Sequence, residues 1–210
     1  MEKNDIAVAV FNKLAKVYQD KFMDVSLYDD SFRFFCDNLN KQNAEILELA
    51  CGPGNITKHL LSLRPNLQIT GTDLAPNMIA LAAENNPTAT FKVMDCREIG
   101  KIDRQYDAIM CGFCLPYLSK EETIKLISDA AKIIQPSGLI YISTMEDDYA
   151  NSGLRKASNG DEVYMHFYKA ADLAAALEEN GFAIAYVDRK HYGGINGSET
   201  IDLIIIAQKK

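Results

Sequence analysis

Two glycines, Gly52 and Gly54, stand one residue apart after the apolar run 46–50, and a carboxylate, Asp73, ends a second apolar segment at 67–72. Glycine lets a backbone turn sharply and approach a ligand with no Cβ in the way. An acid about twenty residues past such a turn, after strand, turn, helix and strand, is where a nucleotide-binding βαβ unit places its ribose-binding carboxylate. The chemistry these residues offer together is recognition of a nucleoside. A dinucleotide fingerprint needs a third glycine, and position 57 is Thr57, which counts against a pyrophosphate on the helix N-terminus and so against NAD or FAD.

Other residue types carry further possibilities. Asp95 and Cys96 close a third apolar segment; as an alternative to ligand binding, Asp95 could cap a helix. Cys111 and Cys114 have the spacing of a redox pair or half a zinc site. There is no second pair, so they read as a pocket wall. The acids Glu146, Asp147 and Asp148 could offer oxygens to a divalent cation, yet adjacent acids on a polar loop are ordinarily solvated, and no metal is expected. His166 and His191 are the titratable groups for general-base work. His166 is the candidate, because the segment 164–168 should emerge over the substrate side.

These residues need elements to hold them. Ile6, Val10, Phe11, Leu14, Val17, Tyr18 and Phe22 repeat at three and four, which predicts an amphipathic helix over 4–22. A second apolar and aromatic segment, 32–39, reads as another helix. Strand 46–50 leads through the glycine turn into helix 56–63, stopped by Pro65. Strand two ends at Asp73, and Pro76 opens a helix to about Glu84, since its missing N–H matters least in the first turn. Strands at 90–94 and 106–111, a helix from 120 to 134 ended by Pro136 and Gly138, and a strand at 139–143 continue the alternation. Residues 145–165 read as a loop or hairpin with a turn at Asn159-Gly160. Helix 169–180, capped by Gly181, then precedes strands 183–189 and 200–208, which flank the turn-forming stretch 193–197 and can pair antiparallel. Repeated βα units predict an α/β fold: a mostly parallel sheet with helices on both faces, the ligand lying outside the carboxyl ends of the strands.

At 210 residues and 48% hydrophobic content, the chain can bury one sizeable core. A single domain is expected, with 1–43 as an N-terminal helical lid, 44–144 as the cofactor-binding half and 145–210 as a substrate-side loop, helix and final strand pair. The formal net charge of −7, with no Lys/Arg-rich run, argues against nucleic acid or an anionic membrane as partner. Five cysteines, an odd number, behind a polar and charged start point to a reduced, cytoplasmic setting.

The stretches 48–54 (Glu-Leu-Ala-Cys-Gly-Pro-Gly), 71–78 (Gly-Thr-Asp-Leu-Ala-Pro-Asn-Met), 94–96 (Met-Asp-Cys) and 106–111 (Tyr-Asp-Ala-Ile-Met-Cys) resemble the class I S-adenosylmethionine-dependent methyltransferases. Phe11, Ala15 and Tyr18 look like that family's cofactor-covering helix, so the likeness runs over nearly the whole chain. The resemblance implies a Rossmann-like seven-stranded sheet whose last strand is inserted antiparallel between strands five and six. It implies S-adenosyl-L-methionine as cofactor, with Asp73 on the ribose hydroxyls, Asp95 on the adenine amino group and the Cys96 backbone N–H on a ring nitrogen. Leu74 and Met78 would pack on the adenine; Glu48 would hold the amino-acid end; Ala50, Gly52, Gly54 and Cys111 would complete the pocket, and Tyr18 would add a hydroxyl. Such a cofactor has no phosphate, so the missing third glycine becomes expected. The implied activity is in-line methyl transfer to a small-molecule acceptor, the alternative being a silent cofactor-binding sensor or complex subunit. Two departures stand out: Ala50 replaces the motif's first glycine, a mild change because Ala is small, and Pro116-Tyr117 stand where relatives have polar or histidine residues. Phe32, Phe34, Phe35, Phe113, Tyr117, Tyr164 and Phe167 point to a partly apolar acceptor.

Overall fold

The computed structural model describes residues 3–156, 160–193 and 199–210. The amphipathic N-terminal segment forms helix α1 (Lys3–Phe22), and a 3-10 turn at Ser26–Tyr28 leads into α2 (Asp29–Asp37). The alternating units follow as β1 (Glu45–Leu49), α3 (Asn55–Leu63), β2 (Gln68–Asp73), α4 (Pro76–Asn85), β3 (Thr90–Val93), β4 (Tyr106–Gly112), α5 (Lys120–Ile133) and β5 (Ile134–Met145). A hairpin, β6 (Gly153–Lys156) with β7 (Glu162–Met165), precedes α6 (Ala170–Glu179), β8 (Phe182–Gly193) and β9 (Glu199–Lys209).

Among the described residues, seven strands make one sheet in the order β3-β2-β1-β4-β5-β9-β8. The first five are parallel, and β9 lies antiparallel between β5 and β8. Because strand side chains alternate between faces, successive residues feed two cores. Leu47, Ile109, Ile140 and Ile205 meet α5 and α6 through Leu126, Ile127 and Leu177. Ile46, Ala108, Met110, Tyr141 and Ile204 meet α2 and α3 through Phe32, Phe35 and Leu60. Burial on both faces explains why these strands read as nearly continuous apolar runs.

Helix α1 belongs to neither core. Its Ala7, Val10 and Phe11 pack with Val163 of β7 and Tyr117, while Ala15 and Tyr18 pack with Ala75 and Met78 at the start of α4. It therefore spans the carboxyl-end edge of the sheet, whereas α2 is part of the sheet's covering layer.

The expected elements are present with differences of extent: α2 runs from Asp29 to Asp37 rather than over 32–39, and β8 extends to Gly193. Strand five is longer than 139–143, because Ile134 already pairs with Tyr106, leaving Pro136 and Gly138 inside an irregular strand start with Ser137 at φ +62°. The 145–165 segment resolves into the β6–β7 hairpin after a 3-10 turn at Tyr149–Asn151. Asn159 of the expected turn, and 194–197 of the glycine-rich stretch, lie outside the described residues.

Gly54 carries the sharpest local demand. It stands at φ +77° where α3 begins, and a Cβ there would collide with the Asn86 side chain and lie 3.2 Å from the Ala82 backbone. Gly54→Ala is expected to lower unfolding stability by about 2 kcal/mol, from left-handed strain and overpacking together, read as a lower urea midpoint at unchanged m-value. A midpoint equal to wild type would show that the turn relaxes freely.

Candidate functional site

The site grows from the end of β1. Parallel pairing of Leu49 with Thr72 brings the ends of β1 and β2 side by side, and Cys51 N–H donates to the Thr72 carbonyl at 2.9 Å. Gly52, at φ +53°, then directs its N–H to Asp73 Oδ2 at 3.0 Å, while Ala75 N–H donates to Asp73 Oδ1 at 2.8 Å. One carboxylate thus ties both βα turns together. Burial raises its proton affinity, and the N–H groups of Ala75, Gly52 and Leu74 oppose that shift. A carboxylate has about four acceptor sites, so lone pairs remain for a ligand beside these backbone bonds.

A cavity opens over this turn, roofed by α1. Asp73, Leu74, Met78 and Met94 form one side, Ala50 and Gly52 the floor, Cys96, Gly112, Phe113 and Cys114 the far wall, and Phe11, Tyr18 and Tyr117 the aromatic cover. The rings of Phe11 and Tyr117 are 5.0 Å apart, and those of Phe11 and Tyr18 are 5.8 Å apart, both edge-on. Burial pushes the Tyr18 hydroxyl up to about 12, with the Asp73 charge adding to it. Among the described residues, Asp73 is the one charged side chain in the lining.

Of the residues singled out in the sequence, Tyr18, Ala50, Gly52, Asp73, Leu74, Met78 and Cys96 come together at the cavity. Four others stand behind its lining. Gly54 shapes the entry to α3. Cys111 is wholly buried, and its neighbours Gly112 and Cys114 reach the wall instead. Asp95 caps the 3-10 turn Cys96–Lys101, accepting Arg97 N–H at 2.8 Å, and its two oxygens hold the Arg97 guanidinium at 2.7–3.1 Å. Burial works against its charged form, but the Arg97 bonds prevail and keep the acid below its ordinary range.

Glu48 is the fourth. It is 1% exposed, accepts the Thr57 hydroxyl on Oε2, and has no partner for Oε1. Burial pushes its acid up to about 8 against that hydroxyl bond. Thr57, conspicuous in the sequence as an absent glycine, is thus the donor to Glu48; its spacing of nine residues gave no independent signal.

His166 is not brought to the cavity. It is 9% exposed, its ring lies 5.6 Å from Tyr149 and 4.8 Å from Tyr164, and its backbone N–H donates to the Pro116 carbonyl at 2.7 Å. β7 enters beside the post-β4 loop, so the imidazole lies outside the cavity lining but next to it, through the Pro116 carbonyl that precedes Tyr117. Phe32 and Phe35 are likewise core residues against Tyr141. Glu146 is clamped by Arg189, with Nη2 at 2.9 Å from Oε1, and Asp148 pairs with Lys169 at 2.5 Å, so both acids are spent on structural ion pairs. The Cys114 and Cys96 sulfurs lie 3.4 Å apart in the wall.

A phosphate-free nucleoside fits this donor set. The Asp73 lone pairs suit a diol, Leu74, Met78 and Met94 offer an apolar wall for a flat base, and the buried Glu48 Oε1 lacks a partner. Among the described residues, no cationic side chain lines the cavity to cradle a pyrophosphate.

Comparison with known proteins agrees with the fold and the turn. A family model for a methyltransferase domain matches residues 46–138. The chain is 32% identical to the malonyl-[acyl-carrier protein] O-methyltransferase of Priestia megaterium, over 64% of this chain and 49% of that protein. It is 24% identical to a tRNA N(3)-methylcytidine methyltransferase of Schizosaccharomyces pombe, over 89% of this chain and 87% of that one. The chain thus spans about half of the first relative and most of the second. The structure of magnesium protoporphyrin IX methyltransferase from Synechocystis with bound S-adenosylmethionine superposes with a TM-score of 0.73 at 18% identity, covering 100% of this chain and 98% of that one.

The Glu48 environment sets a pH dependence. Its folded-state acid near 8 lies above the ordinary glutamate value of 4.5, so folding retains a proton the unfolded chain releases, and stability falls as pH rises from about 4.5 to 8. Glu48→Gln removes that fall. Relative to wild type, its melting temperature is expected to gain on the order of 5 °C between pH 5 and pH 8; parallel curves would refute the buried, uncompensated acid.

Proposed function

We propose that this chain, which belongs to the class I S-adenosylmethionine-dependent methyltransferases, moves the methyl group of S-adenosyl-L-methionine onto a small, partly apolar acceptor. The observation that carries this reading is the Asp73 carboxylate, anchored by Gly52 and Ala75 N–H with lone pairs left over at the mouth of a cavity that has no cationic lining. Asp73 would accept from the ribose hydroxyls, with Leu74 and Met78 on the adenine. Glu48, bearing the unpartnered Oε1, would face the ammonium of the amino-acid end. Asp95 would reach the adenine amino group only by sharing oxygens now held by Arg97.

The cofactor supplies an electrophilic methyl on a positively charged sulfur. The chain would align the acceptor behind that methyl and exclude water, and such alignment alone removes a large part of the barrier to an in-line displacement. Helix α1, across the cavity, is the element we assign as cover over the bound pair.

A small acceptor is favoured over a polynucleotide because, among the described residues, no Lys or Arg lines the cavity and the formal net charge is −7, whereas binding nucleic acid relies on neutralising phosphates. The yeast relative's named substrate makes tRNA the competing acceptor.

Calorimetry tests the donor. Loss of one or two charge-assisted hydrogen bonds is worth about 1.5–3 kcal/mol each, so Asp73→Ala is expected to weaken S-adenosylmethionine binding by roughly tenfold or more, and Asp73→Asn by less. Equal affinity in all three proteins would refute the assignment. Methyl-labelled cofactor offered separately to a metabolite extract and to total tRNA tests the acceptor. Label is expected in the small-molecule fraction, and label confined to tRNA would overturn that choice.

A further inference from the structure

Asp202 is buried, at 6% exposure, with little to compensate it. It lies on β9 opposite Met145, the last residue of β5, and therefore at the same end of the sheet as the cavity. The Tyr28 hydroxyl donates to its Oδ2 at 2.7 Å. Lys190, its register partner on β8, is held instead by Asp188 at 2.8 Å and reaches Asp30 at 3.7 Å. Burial raises the proton affinity of Asp202, and the Tyr28 bond opposes the rise. A buried acid whose described partner is a hydroxyl rather than a cation is poised to accept a proton.

Tyr28, which is not itself part of the cavity lining, stands between this acid and Phe113 of the wall. It ends the 3-10 turn between α1 and α2, and its ring centre lies 5.5 Å from that of Phe113. Phe113 lines the cavity and is held at φ +53°. That conformation is strained for a non-glycine residue, and such strain persists where the surroundings over-determine it. Here the Phe113 N–H is fixed by the Ser143 carbonyl and hydroxyl, both at 3.1 Å. Burial and the bond to Asp202 keep the Tyr28 hydroxyl protonated, and Tyr18 of the cavity roof and Tyr141 below are close enough to add to the effect. In the sheet order, Asp73 ends β2 and Met94 follows β3, while Phe113 follows β4 and Asp202 stands on β9, towards the opposite edge.

We propose that Tyr28 and Asp202 form the proton-accepting end of the acceptor site, next to Phe113, and that the acceptor presents a hydroxyl or an ammonium. The acceptor passes its proton to the Tyr28 oxygen as the Tyr28 hydroxyl passes its own to Asp202 Oδ2. The freed lone pair forms the bond to the methyl carbon, and the electrons of the broken carbon–sulfur bond stay on sulfur. Tyr28 is the group that meets the acceptor; Asp202 acts through it as a positioning residue and final proton acceptor. An ionised carboxylate or thiolate acceptor would need no such pair. This inference rests on the reading of the cavity as an S-adenosylmethionine site.

Carbon-13 NMR of labelled aspartate carboxyls, with Asp202→Asn identifying the signal, tests the placement without turnover. S-adenosylmethionine and S-adenosylhomocysteine differ in the methyl and the positive charge. The Asp202 titration midpoint is expected roughly one pH unit lower with the former, as a nearby opposite charge produces. Coincident midpoints would overturn the proposal. In labelled transfer to the metabolite extract, Tyr28→Phe, which keeps the ring on Phe113, is expected to bind S-adenosylmethionine within about threefold of wild type and to transfer about a hundredfold more slowly. That loss is the scale of general-base assistance. Asp202→Asn is expected to lose the acid limb of the pH–rate profile. Wild-type rate and profile in either variant would overturn the proposal, as would a wild-type protein that shows the midpoint shift yet transfers to nothing. If calorimetry finds that wild type binds neither cofactor, the cavity reading itself has failed and the pair's role falls with it.

Discussion

The carboxylate of Asp73 is the joint on which the ligand-facing edge depends. Two turns leave the sheet side by side after β1 and β2, and each would otherwise present unpaired N–H groups to a half-dry crevice. Asp73 takes one N–H from each, at 3.0 Å from Gly52 and 2.8 Å from Ala75. The arrangement works only because parallel register places Leu49 beside Thr72 and because Gly52 tolerates a positive φ. Both turns are thereby fixed before a ligand arrives, which is the preorganisation a binding site needs.

A sorting of charge follows from the same edge. Some acids have cations: Asp129 with Lys125 and Lys132, Glu146 with Arg189, Asp95 with Arg97. Others have hydroxyl or backbone donors: Glu48 with Thr57, Asp202 with Tyr28, Asp73 with backbone N–H groups. Burial raises the proton affinity of all three in this second group. The paired acids hold the fold, and the acids with neutral donors, Asp73 in the lining among them, are left electronegative or proton-accepting. That environment suits a positively charged donor and an acceptor that must shed a proton.

How much of this was legible in the sequence depended on how local the physics is. The strand–turn–helix units and Asp73 were legible because their residues are consecutive or fall within one βαβ unit, and even the inserted position of β9 followed from the family likeness. The part of the site facing the acceptor was not. Tyr28 and Asp202 are 174 residues apart in the chain and meet only because β9 returns beside β5. His166 sat in an aromatic segment that looked like a site wall, but periodicity gives no information on which side of the post-β4 loop that segment enters. Thr57 shows a subtler failure: its sequence meaning was an absence, and its structural meaning is a bond to a buried acid.

Strain accounts for why the crevice sits where it does. Ala50 and Phe113, non-glycine residues at φ +51° and +53°, follow β1 and β4, the neighbouring strands from which the order runs outward in both directions. Ligands in doubly wound sheets bind at that switch point because adjacent connections diverge there. Diverging chains must turn away abruptly, and an abrupt turn from a buried strand forces backbone into conformations that a Cβ resists. For Ala50 the penalty is therefore conformational, about 1–2 kcal/mol, and the small size of alanine does not remove it. Both strained residues border the cavity, and both are held by strands buried on two faces. The sheet supplies the stability that keeps them bent, so the opening of the site and the strength of the core are two consequences of one topology.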